Sequence, residues 1–179
     1  MTTLPSSLLM TCLLSATPNY GVDLTGLNWQ RVNDTVMGGR SSSAIEVTQD
    51  KGITFSGTLS LANNGGFASI RAPYSIPSSD PVALRLTVLG DGKEYQLRLR
   101  VNGYLDAPAF VYSFQTTANQ PQTMMIRESD FVLQFRGRVL SSPYQLNFAD
   151  VRTIGFLISA KQAGSFALMV DSLAAVPIT

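Results

Sequence analysis

Between Trp29 and Ser43 the chain reads WQRVNDTVMGGRSSS, with Asn33, Asp34, Arg40, Ser41, Ser42 and Ser43 gathered around the pair Gly38-Gly39. The oxygens of Asn33 and Asp34, with backbone carbonyls, are the donor type that a hard cation such as calcium takes. Such a cation needs about six or more oxygens, and no Asp-x-Asp cluster stands nearby. The competing reading is that both side chains bond to the backbone of their own loop. Adjacent glycines open backbone conformations closed to other residues and allow a ligand or a second backbone to come close. A second set is Arg98 and Arg100, two residues apart on one strand face, with Arg85 expected beside them on the neighbouring strand. Guanidinium groups so placed grip a carboxylate or phosphate bidentately. The alternative is a solvated face balanced by Asp91 and Glu94. Trp29, Tyr104, Phe110, Tyr112 and Phe114 offer a sugar-stacking platform or an ordinary core, and the alternation of the last three favours core. Tyr104, in NGYLDAP, falls in a loop.

Composition narrows the chemistry. The 179 residues contain no histidine, which removes the commonest general base and metal ligand. The single cysteine, Cys12, permits neither an intrachain disulfide nor a thiolate cluster. A transition-metal site would have to be built almost wholly from oxygen ligands, so no catalytic metal and no cofactor is expected; calcium stays open. Without histidine and without a G-x-S-x-G elbow, the many serines do not make a hydrolase triad. Neither glycine pair follows a strand and opens a helix, as a nucleotide fingerprint requires. A net charge of +1 favours neither nucleic acid nor an anionic membrane. The sequence therefore points away from an enzyme.

These residues need a scaffold, and the periodicity supplies one. Val82, Leu84, Leu86 and Val88 alternate with Arg85 and Thr87; Tyr95, Leu97, Leu99 and Val101 alternate with Gln96, Arg98 and Arg100. That period of two predicts strands with one buried face. Further strands are predicted over Val22 to Leu24, Ala44 to Val47, Ile53 to Leu61, Phe67 to Arg71, Phe110 to Phe114, Thr123 to Ile126, Arg152 to Ser159 and Ser165 to Val176. Turns are expected at Asp50-Lys51-Gly52, Asn63-Asn64-Gly65-Gly66, Gly90-Asp91-Gly92 and Lys161-Gln162-Ala163-Gly164, and a loop at Pro73 to Pro81. Ser129 to Phe148, with Arg136-Gly137-Arg138, reads as irregular. The whole predicts an all-β antiparallel sandwich or jelly roll, a single domain over residues 21–179. Residues 1–20 are an N-terminal arm or a signal segment, because Leu4 to Ala16 resembles a short secretory apolar run without a preceding Lys or Arg. A cytoplasmic or membrane-peripheral place is expected, or a periplasmic or secreted one if residues 1–16 are a signal peptide. No segment is long enough for a transmembrane helix.

The motif W-x-x-V-N-D-x-V-M-G-G-x-S-x-S resembles the complex I intermediate-associated protein 30 family, whose mitochondrial members are assembly factors for NADH:ubiquinone oxidoreductase. Further matching positions follow in order: Asn64-Gly65-Gly66-Phe67 with Ser69 and Arg71; Gly90-Asp91-Gly92 with Tyr95 and Arg98; Phe135-Arg136-Gly137-Arg138; Gly155-Phe156; and Lys161-Gln162 with Gly164 and Phe166. The resemblance covers about residues 22 to 176. It implies a galactose-binding-like jelly roll and a non-enzymatic assembly or interaction role. The chain departs from the family at Met125 to Phe131, which lacks a proline-phenylalanine step, at Gln122 where an aromatic is common, and at Gly164-Ser165-Phe166 in place of Gly-Pro-Phe. With no Arg-rich presequence, a compact prokaryotic member is implied.

The expected recognition surface is Asn33, Asp34, Met37, Gly38, Gly39, Arg40, Ser41, Asn64, Gly65, Gly66, Arg71, Asp91, Tyr95 and Arg98. Asp34 or Asp91 is expected to pair with one of the arginines. Trp29 is expected to be mostly buried and to anchor the loop. The partner is a protein, or alternatively a carbohydrate or small ligand bound on the same fold; nucleic acid is not expected.

Overall fold

Alternating apolar residues need two facing sheets to bury them, and that is what forms. A computed structural model describes residues 20–48, 52–77, 82–104, 107–159 and 162–178. The strands are β1 (Tyr20–Gly21), β2 (Gln30–Asn33), β3 (Ser42–Val47), β4 (Ile53–Leu59), β5 (Ala68–Pro73), β6 (Val82–Leu89), β7 (Glu94–Arg100), β8 (Ala109–Gln115), β9 (Pro121–Ile126), β10 (Val132–Phe135), β11 (Arg138–Val139), β12 (Thr153–Ile158) and β13 (Gly164–Pro177). One sheet runs β3-β4-β13-β6-β9, with β1 paired to β13; the other runs β11-β10-β8-β7-β12-β5-β2. All their pairings are antiparallel, so the fold is the expected sandwich.

The inward residues follow the predicted alternation. Leu84, Leu86 and Val88 of β6 face Tyr95, Leu97 and Leu99 of β7 across one core, with Phe156 and Ile158 of β12 and Leu168 and Val170 of β13. Phe110 and Phe114 belong to the same core, and Tyr112 packs against it. The outward residues of the seven-stranded sheet include Arg71 on β5, Gly155 on β12 and Arg98 on β7, which are direct cross-strand partners in that order.

Three expectations change. Gly90-Asp91-Gly92 turns the chain as expected, but β6 and β7 belong to different sheets, so the turn arches across the sandwich. Arg85 therefore lies in the six-stranded sheet, away from Arg98 and Arg100. The segment read as irregular contains the β10–β11 hairpin, with Gln134 opposite Val139 and Phe135 opposite Arg138. Its connection is Arg136-Gly137, both with left-handed φ, 48° and 78°. That is the backbone of a tight two-residue hairpin turn. The first strand is Tyr20–Gly21 rather than Val22 to Leu24; Val22 still donates its N–H to the Leu173 carbonyl at 2.8 Å, and Leu24 is buried.

The expected turn at residues 50–52 and the loop ending at Pro81 fall largely outside the described residues, as does the N-terminal segment 1–19. No helix among the described residues is long and apolar enough to cross a membrane.

Candidate functional site

The opening motif begins as a strand. Gln30 to Asn33 pair with β5, and the chain then turns through a single 3-10 turn, Asp34–Met37. Gly38 ends that turn in the left-handed region, φ 86°, and donates to the Thr35 carbonyl at 3.1 Å. Gly39 then donates to the Asp34 carbonyl at 3.0 Å. Left-handed backbone of this kind favours glycine.

Asp34 is 0% exposed, and protein donors surround its carboxylate. Oδ1 accepts from the Ser41 N–H at 2.9 Å. Oδ2 accepts from the Ser41 hydroxyl at 2.5 Å and from the Gly66 N–H at 2.6 Å. Ser41 Oγ in turn accepts from the Ser60 N–H at 3.0 Å. Burial alone would raise the Asp34 pKa; the Ser41 hydroxyl and the Gly66, Ser41 and Phe67 backbone groups outweigh it and hold the carboxyl below its usual range.

Both glycine pairs answer to this one side chain. A Cβ on Gly39 would run into the Asp34 carboxylate, and one on Gly65 would come within 2.5 Å of its Oδ2. The carboxylate thus occupies the space that two distant glycines leave open, and it ties the loop at 34–41 to the turn at 60–66. Asn63 reinforces the tie by donating to the Gly38 carbonyl at 3.0 Å. Asn33 accepts from the Ser43 hydroxyl at 2.8 Å. Asn64 ends a short 3-10 turn, Ala62–Asn64.

Asp91 does the same work on a neighbouring arch. Its carboxylate accepts from the Tyr95 hydroxyl at 3.0 Å, the Ala167 N–H at 3.0 Å and the Lys93 N–H at 3.1 Å, with Lys93 Nζ at 3.4 Å. Burial first, and the Asp91 charge second, push the Tyr95 hydroxyl well above its ordinary pKa. Neither aspartate bonds to an arginine, which corrects the expected ion pairs. Backbone N–H groups and hydroxyls fill the carboxylates first. Gln162, expected in a turn and matched in the family motif, has a defined role. Its amide bonds the Glu94 N–H at 2.8 Å and the Glu94 carbonyl at 2.9 Å, as a paired strand residue would.

What this scaffold shows to solvent differs from what builds it. Val36 and Met37, at the tip of the 3-10 turn, are 70% and 69% exposed, and Arg40 is exposed beside them. The neighbouring turn exposes Leu61. Residues Met37, Gly38, Gly39, Arg40 and Ser41 are thus brought together with Gly65 and Gly66. Arg71 and Arg98 form a separate group on the open face of the seven-stranded sheet, one on each side of Gly155. Val36 and Leu61 were not among the expected site residues. The Val36-Met37 pair beside Gly38-Gly39 was the available signal, because apolar residues in a turn have no buried face to fill.

Trp29 is largely buried and packs against the core, as expected: its indole N–H donates to the Leu24 carbonyl at 2.8 Å, and its ring lies 6.2 Å from that of Phe156. Every aromatic within β7, β8 and β12 points inward. Among the described residues no group of three or more His, Cys, Asp or Glu is placed to hold a metal ion. A hollow of about 580 Å³ lies beside β10 and is lined by Phe131, Leu140, Tyr144, Arg127, Glu128 and Gln145 among others.

The sandwich resembles solved carbohydrate-binding structures. A family 11 carbohydrate-binding module from Clostridium thermocellum, solved with a β-1,3-1,4-mixed-linked tetrasaccharide, superposes with a TM-score of 0.64 at 19% identity, over 91% of this chain and 98% of that one. A family 11 module of a cellulosomal cellulase from the same organism gives 0.65 at 19% identity, over 92% and 97%. An exo-β-agarase gives 0.53 at 10% identity, over 88% of this chain and 24% of its own. At these identities the likeness concerns the fold. No curated protein matches the sequence significantly. Residues 20–170, which carry the Asp34 loop, the Asp91 arch and the arginine row, match complex I intermediate-associated protein 30 (CIA30), and the chain belongs to that family.

Proposed function

We propose that this protein is a non-enzymatic interaction module that docks a protein partner through the Asp34-fixed loop, acting as an assembly factor for a respiratory complex of the NADH:ubiquinone oxidoreductase type. One observation carries the reading: a loop tied down by the buried Asp34 holds two large apolar side chains, Val36 and Met37, in solvent. Exposed apolar residues on a mobile loop would cost entropy to order on binding. Here the Asp34 bonds to Ser41 and Gly66 tie down the backbone that carries them. Apolar anchors with a nearby arginine are the composition of a protein–protein contact centre. Family membership supports the assembly role.

The test is capture of partners from native membranes by the full chain and by the Val36→Ser/Met37→Ser double variant. Neither residue is buried, so the variant should melt with the parent while retention of respiratory-complex subunits falls at least tenfold. Equal capture by both proteins, or capture containing no such subunit, would overturn the proposal.

A second reading is a carbohydrate-binding module. What favours it is Tyr144, 48% exposed, bordering the hollow beside β10 together with Arg127, Glu128 and Gln145. A ring face with polar neighbours is what a sugar requires. Against it, the open face of the seven-stranded sheet carries arginines and no aromatic among its described strand residues. Calorimetry with soluble β-glucans, against the Tyr144→Ala variant, separates the two readings.

A further inference from the structure

The seven-stranded sheet carries one cross-strand row in the order Gln30, Arg71, Gly155, Arg98, Val111. Gly155 puts no side chain between the two arginines, whose backbones stand about 10 Å apart, two strand spacings; the Ile70 carbonyl and the Arg71 Cβ close in beside the glycine. Arg100 lies two residues along β7 on the same face as Arg98. A notch of about 20 Å³ opens there, lined by Ser69, Arg71, Arg98, Arg100 and Gly155. That is room for one oxygen atom with its hydrogen-bond partners.

Arg98 is the unfinished member. Arg71 and Arg100 each make an interaction of their own, although Arg71 Nε, like that of Arg98, is buried without a hydrogen bond. Arg98 Nε is buried and has no hydrogen-bond partner. The ion pair between Lys93 and Asp91 lies on the arch before β7 and leaves Arg98 out. Buried polar groups are normally satisfied, and an orphan donor on a cation calls for an acceptor from outside. A water in the notch would meet the donor and leave the charge uncompensated. A carboxylate meets both, since the guanidinium fork matches its two oxygens.

We propose that the row Arg71–Gly155–Arg98 is a carboxylate-binding site, in which one oxygen of the ligand enters the notch over Gly155 and bonds Arg98 Nε. It lies on the sheet face and does not depend on the docking role of the Val36-Met37 loop. The carboxylate comes either from a small organic acid or from an acidic side chain of a bound protein.

The full chain, labelled with nitrogen-15, would be titrated while the arginine Nε–Hε signals are followed by NMR. The Arg98 signal is assigned by its loss in the Arg98→Lys variant, whose folding is checked by melting; the titration itself uses the parent protein. Sodium acetate is compared with sodium chloride at equal ionic strength. A short peptide with a central glutamate is compared with its glutamine counterpart, and inorganic phosphate is a third arm. The expected result is a saturable shift of the Arg98 signal with acetate or with the glutamate peptide, and none with chloride or the glutamine peptide. Tighter binding of the peptide assigns a protein source, and tighter binding of acetate assigns a small acid. An equal shift with chloride, tighter binding of phosphate than of either carboxylate, or an unmoved signal would overturn the proposal.

Discussion

Replacing Asp34 by Asn tests whether one carboxylate holds both glycine turns. Asn keeps the shape and removes the charge and one acceptor. Its cheaper orientation leaves the amide oxygen where Oδ2 accepts from the Ser41 hydroxyl and the Gly66 N–H. The amide nitrogen then faces the Ser41 N–H, which now donates to Oδ1 at 2.9 Å. One charged hydrogen bond is lost and a buried donor is left facing another donor, for a cost of about 2–4 kcal/mol. For a chain of this length that corresponds to a Tm lower by roughly 5–15 °C. The sign of the pH dependence follows from the depressed pKa. A carboxyl whose folded pKa lies below its unfolded value contributes stability that is fully present above about pH 4 and is lost as pH falls through the folded value. The Tm gap between parent and variant should therefore stay level from about pH 8 to 5 and close below about pH 4. Thermal melts by circular dichroism across that range are the assay. A variant melting within about 1 °C of the parent at neutral pH, or a gap that widens in acid, would refute the reasoning.

Three further outcomes follow from the same contacts. Gly39→Ala sets a methyl group against the Asp34 carboxylate and should cost about 1–3 kcal/mol; in an Asp34→Ala background the cost should shrink, a coupling that a double-mutant cycle reads directly. Tyr95→Phe removes the 3.0 Å bond to Asp91 and should cost about 1 kcal/mol near neutral pH. Because the Tyr95 pKa is raised in the fold, its contribution is present below about pH 10 and lost as pH rises further, so the variant should lose less stability in alkali than the parent. Trp29 is largely but not fully buried, so its fluorescence should be moderately blue-shifted and incompletely protected from acrylamide, with Trp29→Phe costing about 1 kcal/mol for the bond to Leu24; full quenching at the rate of free indole would contradict the packing against Phe156.

How far the sequence could be read depended on whether a feature is local. The alternation in Val82 to Leu89 marked β6 to the residue, because burying one strand face imposes a period of two. The turn at Gly90-Asp91-Gly92 was legible but not where it leads, because a glycine turn looks alike whether it pairs its flanking strands or carries the chain to the other sheet. That single ambiguity put Arg85 on the wrong sheet, whereas Arg71 and Arg98, expected on one surface, do share a face on either side of Gly155. The β10–β11 hairpin escaped because its turn is Arg136-Gly137 instead of Asn-Gly, so a left-handed arginine stands where no propensity signals one. Asp34 was legible as special, but its donor Gly66, and Ser60, which donates to Ser41, come from a turn far along the chain, and nothing in the spacing of either motif says that they meet.

The polar groups now divide by what a substitution would disturb. The oxygens of Asp34 and Asp91 accept from donors on several strands and turns, so changing either alters the shape of the loops around it. Neither carboxylate bonds an arginine. Val36, Met37 and Arg40 are exposed and stand outside that bonding, and Arg98 Nε has no partner inside the fold. Shape and recognition are therefore separable by experiment. Binding lost together with stability points to the aspartates and their glycines. Binding lost at unchanged melting points to the loop tip if the partner is apolar and insensitive to salt, and to Arg98 if salt and free carboxylate weaken it.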